Sequence, residues 1–200
     1  MLRKLISDQE LISQYLTGQE SSLQELITRH KAKVYTSIYL LVKDKYLAED
    51  IFQDTFIKVI NTLRLGKYNE EGKFLPWVIR IGHNLVIDHF RREKRTPMIT
   101  NSEGFDIFET IQFVDENIED KLLREQTYTD LQKLIALLPE EQREVLIMRH
   151  YGDLSFKEIS EITNVSINTA LGRMRYALNN LRKLMNRKDS GVKISVSNTL

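Results

Sequence analysis

The 200-residue sequence contains no cysteine, which excludes disulfides and thiolate chemistry and suits a reducing compartment. No apolar run approaches the length that crosses a bilayer, so no membrane insertion is expected. The opening Met-Leu-Arg-Lys-Leu-Ile-Ser-Asp-Gln-Glu turns polar too soon for a secretory signal, and a cytoplasmic location is expected. There is no glycine-rich phosphate loop ending in Lys-Ser/Thr and no nucleophile elbow. Histidines at metal-ligand spacing are also missing: His83 and His89 stand six apart, and His30 and His150 are isolated. No catalytic residue, metal or cofactor is expected, and the chain is not read as an enzyme.

What is present is globular in character, with 42% hydrophobic and 28% charged residues. The net charge of +1 conceals an uneven distribution. From Ile99 to Asp120 the chain carries Glu103, Asp106, Glu109, Asp115, Glu116, Glu119 and Asp120 with no Lys or Arg. Just before this strap lies Arg91-Arg92-Glu93-Lys94-Arg95, and Arg173, Arg175, Arg182, Lys183, Arg187 and Lys188 follow near the C-terminus. Two basic lobes joined by an acidic linker is the pattern to explain.

Apolar periodicity predicts helices throughout. A short one is expected over residues 7–17, with Leu11, Ile12, Tyr15 and Leu16 apolar and Gly18 at its end. A longer one covers 21–42 through Leu23, Leu26, Ile27, His30, Val34, Tyr35 and Ile38, with His30 packed or partly exposed. A third covers 46–65, its core face built by Leu47, Ile51, Phe52, Thr55, Phe56, Val59, Ile60 and Leu63. Asp50, Gln53, Asp54 and Ile57 share a second face of that helix. Such a face is either solvated or, with Ile57 as an apolar centre in a polar rim, a protein-docking surface. Residues 65–73 form a loop marked by Gly66 and Gly72.

The stretch Phe74–Arg92 reads as a fourth helix from Trp77 onward, with Pro76 in its first turn. Trp77, Ile81, Leu85 and His89 form the expected apolar line, widened by Val78 and Phe90. On the other surface, Phe74, Trp77, Arg80, Asn84, Arg91 and Arg92 combine rings, an amide and cations, the chemistry that single-stranded nucleic acid requires. An ordinary amphipathic helix with a solvated basic end is the alternative.

A further helix is expected over 118–138, and another starts at Pro139 with Glu140 and Glu141 in its first turn. Ser155-Phe156-Lys157-Glu158 is a capping box. Thr163-Asn164-Val165 turns, Ser166 caps the last helix, and Ala170, Met174, Ala177, Leu178 and Leu181 mark its buried stripe. Two short helices, a tight turn and a stripe make a helix-turn-helix. Its exposed face offers Asn168, Thr169, Leu171, Gly172, Arg173, Arg175, Tyr176 and Asn179 to DNA.

The order of these parts resembles the extracytoplasmic-function sigma factors of bacterial RNA polymerase. Residues 48–58 (Ala-Glu-Asp-Ile-Phe-Gln-Asp-Thr-Phe-Ile-Lys) are similar to the core-binding helix of that family. Phe74-x-x-Trp77-x-x-Arg80-Ile81-x-x-Asn84-x-x-x-Asp88 resembles its promoter-melting helix. Leu138-Pro139-Glu140-Glu141-x-Arg143-x-Val145-Leu146, Leu154-Ser155-x-x-Glu158-Ile159 and Val165-Ser166-Ile167-x-Thr169 resemble its C-terminal domain.

The resemblance implies an all-α chain of two small helical domains. A region 2-like bundle (7–93) is followed by an acidic flexible linker (94–120), a region 4-like helix-turn-helix domain (121–187) and a disordered tail (188–200). It implies a promoter-specificity subunit that binds core polymerase, reads the −10 and −35 elements and melts DNA. Asp50, Gln53, Asp54 and Ile57 would dock on the β′ clamp helices, and the C-terminal domain would meet the β flap. The 65–73 loop, with Lys67 and Lys73, would capture a flipped −10 base with Phe74 and Asn84, while Arg80, Arg91 and Arg92 hold backbone. Trp77 would be structural. Asn168, Thr169, Leu171, Gly172, Arg173, Arg175 and Tyr176 would meet the −35 element. The linker would thread toward the RNA exit channel, an anti-sigma factor is an expected partner, and no obligate homo-oligomer is expected. Leu171 and Gly172 depart from the family pattern, which usually has a basic or polar residue and Ser there.

Two other functions fit parts of the pattern. A stand-alone helix-turn-helix regulator would need a dimer helix, and none is evident. A nuclease or recombinase would need clustered carboxylates in a pocket, and Asp50 with Asp54 is the only tempting pair.

Overall fold

The computed structural model describes residues 6–69, 71–95 and 129–189. The chain divides into two compact units, one built from the N-terminal helices with residues 150–154 grouped alongside them, the other from the remaining C-terminal helices. The expected linker at 94–120 lies outside the described residues except for 94–95. Residues 188–189 of the expected tail are helical, a correction, while 190–200 and the 118–128 part of the expected helix lie outside the described residues.

The N-terminal unit contains α1 (Asp8–Leu16), α2 (Glu20–Val42), α3 (Lys45–Arg64) and α4 (Phe74–Arg95). Ser7 caps α1 through a reciprocal box with Glu10, and Gly18 leaves it at φ 103°, a backbone region open to glycine. Lys43 ends α2 in the left-handed conformation. Asp44 then caps α3, its carboxylate accepting from the Leu47 N–H at 2.8 Å. The core of the unit is Leu26, Val34, Ile38, Leu40, Ala48, Val59, Leu63, Phe74 and Val78.

The phase of α4 differs from the expected one. Its buried residues are Phe74, Leu75, Val78, Ile79, Gly82, His83 and Val86, whereas Trp77, Ile81, Leu85 and His89 are only half-buried. The reason lies at Gly82. A Cβ there would meet Ile38 Cδ1 at 3.2 Å and Thr55 Oγ1 at 3.4 Å, so α4 lies unusually close to α2 and α3 along its small residue. Helix α4 also begins at Phe74, earlier than expected, with the Trp77 N–H already bonded to the Lys73 carbonyl at 3.1 Å. Pro76 therefore falls in a first turn that needs no N–H from it.

In the C-terminal unit, a helix α5 is described over 129–136, followed by α6 (Glu140–His150), α7 (Phe156–Thr163) and α8 (Ile167–Asp189). The Pro139 carbonyl accepts from the N–H groups of Gln142 and Arg143, which starts α6 at the expected place. Val145, Leu146, Ile147 and Met148 of α6 are all buried. The Ser155–Glu158 capping box forms, and Asn164 turns the chain at φ 53°, ψ 45°. Ser166 caps α8 by accepting from the Thr169 N–H at 3.0 Å. Ala170, Ala177 and Leu181 are buried as expected, and Met174 is half-buried. Leu178 is a correction: it is 47% exposed, because the buried stripe of α8 is narrow and runs through the two alanines.

Candidate polymerase and promoter interfaces

Three exposed surfaces carry the sequence-derived site residues. On α3, Asp50, Gln53, Asp54 and Ile57 are all exposed. At about 100° per residue they occupy one continuous face. Opposite them Ala48, Ile51, Thr55, Val59 and Leu63 are buried, which fixes that face outward. Ile57 is 54% exposed at its centre.

On α4, Arg80, Asn84 and Arg91 are exposed and lie along one line, at i, i+4 and i+11. Arg91 pairs with Asp88 at 3.6 Å, an exposed contact worth little in itself. Arg92 is also exposed but is rotated roughly 100° from Arg91 around the helix. Lys67 and Lys73 are exposed in the loop that precedes α4.

Phe74 does not belong to this surface. Its side chain is 2% exposed, with ring neighbours His30 at 5.6 Å, Tyr68 at 6.2 Å and Trp77 at 5.9 Å. Because α4 starts at Phe74 with Val78 and Gly82 turned to the core, the ring follows them inward. It thus supports the loop from beneath: Tyr68, the loop's half-buried ring, rests 4.4 Å from Trp77 and edge-on to Phe74.

The support continues to α1. His30 Nε2 lies 2.7 Å from Asp8 Oδ2, while Arg29 Nη1 donates to Asp8 Oδ1 and to the Ile6 carbonyl, each at 2.8 Å. The sequence places His30 on the apolar face, packed or partly exposed, but does not single out its partner Asp8, which is 22 residues away.

On α8, Asn168, Thr169, Leu171, Arg175, Tyr176 and Asn179 are exposed, and Gly172 is partly so. Nothing lies within 4 Å of a Cβ built on Gly172, so packing within the described residues does not require glycine there. Arg173 sits at the edge of this face, its side chain 19% exposed, with Nη2 3.1 Å from Glu141 Oε1.

Arg143 is a structural residue that sequence reasoning noted only as part of a motif. It is buried, and Nη1 donates to the carbonyls of Ala136 and Leu138 at 3.3 and 3.1 Å. It therefore satisfies one carbonyl at the end of α5 and one in the turn that follows. Burial pulls its pKa below the ordinary value, against the opposing pull of Glu140 and Glu144.

Comparison with known proteins gives this geometry a class. The Sigma-70 region 2 family model matches residues 26–96, which hold the α3 and α4 faces. The Sigma-70 region 4 model matches residues 128–180, which hold the helix-turn-helix. The chain belongs to the sigma-70 family and is a promoter-recognising sigma subunit of RNA polymerase. Such subunits act by binding core polymerase and promoter DNA.

Within that family it is an extracytoplasmic-function (ECF) sigma factor. It is 27% identical to the ECF RNA polymerase sigma factor SigW of Bacillus subtilis over 176 residues, covering 86% of this chain and 93% of that protein. It is 27% identical to SigM of Bacillus subtilis over 167 residues, covering 83% and 96%. The fold also matches the sigma factor RpoE of Bartonella quintana, solved with the anti-sigma factor NepR (TM-score 0.60, 18% identity, 82% and 96% covered). A second match is CnrH, solved with the cytosolic domain of CnrY (TM-score 0.56, 21% identity, 90% and 97% covered).

Proposed function

We propose that the N-terminal unit separates its two tasks onto two helix faces. Asp50, Gln53, Asp54 and Ile57 dock α3 on the β′ clamp helices of core polymerase. The 65–73 loop, with Lys67, Lys73 and Asn84, receives the −10 DNA, and Arg80, Arg91 and Arg92 hold its backbone. The observation that carries this reading is the pair of exposed faces in one unit: an apolar centre in an acidic and amide rim on α3, and a line of cations around an amide on α4. Opening the duplex needs no bond chemistry from this chain. A base held outside the stack offsets the few kcal/mol lost on unstacking. The protein accordingly acts without enzymatic activity of its own, in the cytoplasm.

In the C-terminal unit, Asn168, Thr169, Leu171, Gly172, Arg175 and Tyr176 lie toward the −35 element and Arg173 toward its backbone, while the unit meets the β flap. The acidic 94–120 linker joins the 7–93 and 121–187 domains and threads a positively charged channel as a polyanion mimic. An anti-sigma factor is the natural regulator, a reading supported by the RpoE complex with NepR.

Separation of function is the test. Asn84→Ala is expected to leave core-polymerase affinity at the wild-type level while lowering promoter opening, followed by fluorescence of a base analogue in the −10 region. Loss of polymerase binding together with opening would contradict the division between the two faces.

A further inference from the structure

Recognition helix α8 contains no Asp or Glu from Ile167 to Lys188, yet it carries Arg173, Arg175, Arg182, Lys183, Arg187 and Lys188. The carboxylate paired with Arg173 comes from another helix. Glu141, in the first turn of α6, lies 3.1 Å from Arg173 Nη2. Two turns further along the same edge of α8, Asn180 Nδ2 donates to Gln142 Oε1 at 2.8 Å. The start of α6 therefore runs along one edge of the face that α8 offers to DNA. We propose that Glu141 is an internal substitute for a DNA phosphate: it holds Arg173 in the free protein, yields it on binding, and so restrains both the affinity and the salt dependence of −35 recognition.

The chemistry of the pair supports an exchange. A carboxylate and a phosphate present the same kind of anionic acceptor to a guanidinium. Glu141 is 70% exposed, so its hold on Arg173 is solvent-screened and weak enough to exchange. Arg173, at 19% exposure, is largely packed against the fold and needs little ordering when its partner changes. After the exchange the carboxylate remains beside a polyanion, which opposes binding. A tether that only fastened α8 to α6 would have the opposite sign, because its removal would loosen the reading face and weaken DNA binding.

This inference rests on α8 being the −35 reader. The test uses the full chain in complex with core polymerase and a duplex enriched from a random library by the wild-type complex. Glu141→Gln is expected to bind that duplex about two- to fivefold more tightly. Its plot of log affinity against log salt is expected to steepen by up to about one unit. Glu141→Gln placed on Arg173→Ala should give no such gain. Unchanged circular dichroism of Glu141→Gln checks the fold. Unchanged or weaker binding by a folded Glu141→Gln would overturn the proposal. Arg175→Ala separates the two failures. If it weakens binding while Glu141→Gln does not tighten it, only the role of Glu141 falls. If Arg175→Ala has no effect, the reading of α8 falls and the proposal with it.

Discussion

Helices α4 and α8 both expose amides and cations, the proposed contacts to DNA, but they are held in place by different means. The start and turn of α8 are fixed locally, by the Ser155–Glu158 box, the left-handed Asn164 and the Ser166 cap, all within a dozen residues. The setting of α4 is fixed from a distance, by Gly82 against Ile38 and Thr55 and by Phe74 against His30 and Tyr68. A turn set by local caps keeps its shape when residues elsewhere in its unit change. A reader set by tertiary contacts should lose its alignment when a core neighbour changes.

The largest expected effect is at Phe74. Phe74→Ala should destabilise the N-terminal unit by about 3–5 kcal/mol, measured by urea unfolding. Phe74→Leu retains much of the buried volume and should keep both the fold and promoter opening. A folded Phe74→Leu that cannot open promoters would return the ring to the DNA surface.

Gly82→Val comes next, at about 1–3 kcal/mol, because the added methyls would press on Ile38 and Thr55. Hydrogen exchange should quicken in α2, α3 and α4 and stay unchanged in α7 and α8. Equal acceleration in both units would erase the contrast between them. Ser155→Ala should cost about 1 kcal/mol, with faster exchange confined to the C-terminal unit.

The smallest effect concerns Tyr35. Burial, with help from Glu49 and Tyr39, pushes its hydroxyl above the ordinary pKa of 10.0. The neutral phenol is therefore favoured in the folded state. Its contribution is complete below the unfolded value and is lost as pH rises through the folded one. Stability should fall on the alkaline side of about pH 10, and the fall should be shallower in Tyr35→Phe. An identical alkaline limb in that variant would remove Tyr35 from the account.

The same contrast explains what was legible in the sequence. The helix-turn-helix could be read almost residue by residue, because caps and left-handed turns are written in adjacent side chains. The face of α3 was equally legible, since its core residues leave Asp50, Gln53, Asp54 and Ile57 outward. The phase of α4 was not. Its sequence is apolar enough to support more than one buried stripe, and the choice is made by residues 27 or more positions away. Phe74 lies in the core rather than on the exposed face for that reason. The Asp8–His30 contact and the bonds from Arg143 near the end of α5 are likewise not legible, since spacing alone does not reveal tertiary partners. Leu178, expected inside, lies outside because Ala170 and Ala177 already complete the narrow contact.

The affinity of the purified chain for bacterial core RNA polymerase, wild type beside Asp54→Arg, is the measurement to make first. Tight binding by the wild type and its loss in a variant with unchanged circular dichroism are expected. Wild-type affinity in a folded Asp54→Arg would contradict the assignment of the α3 face to polymerase.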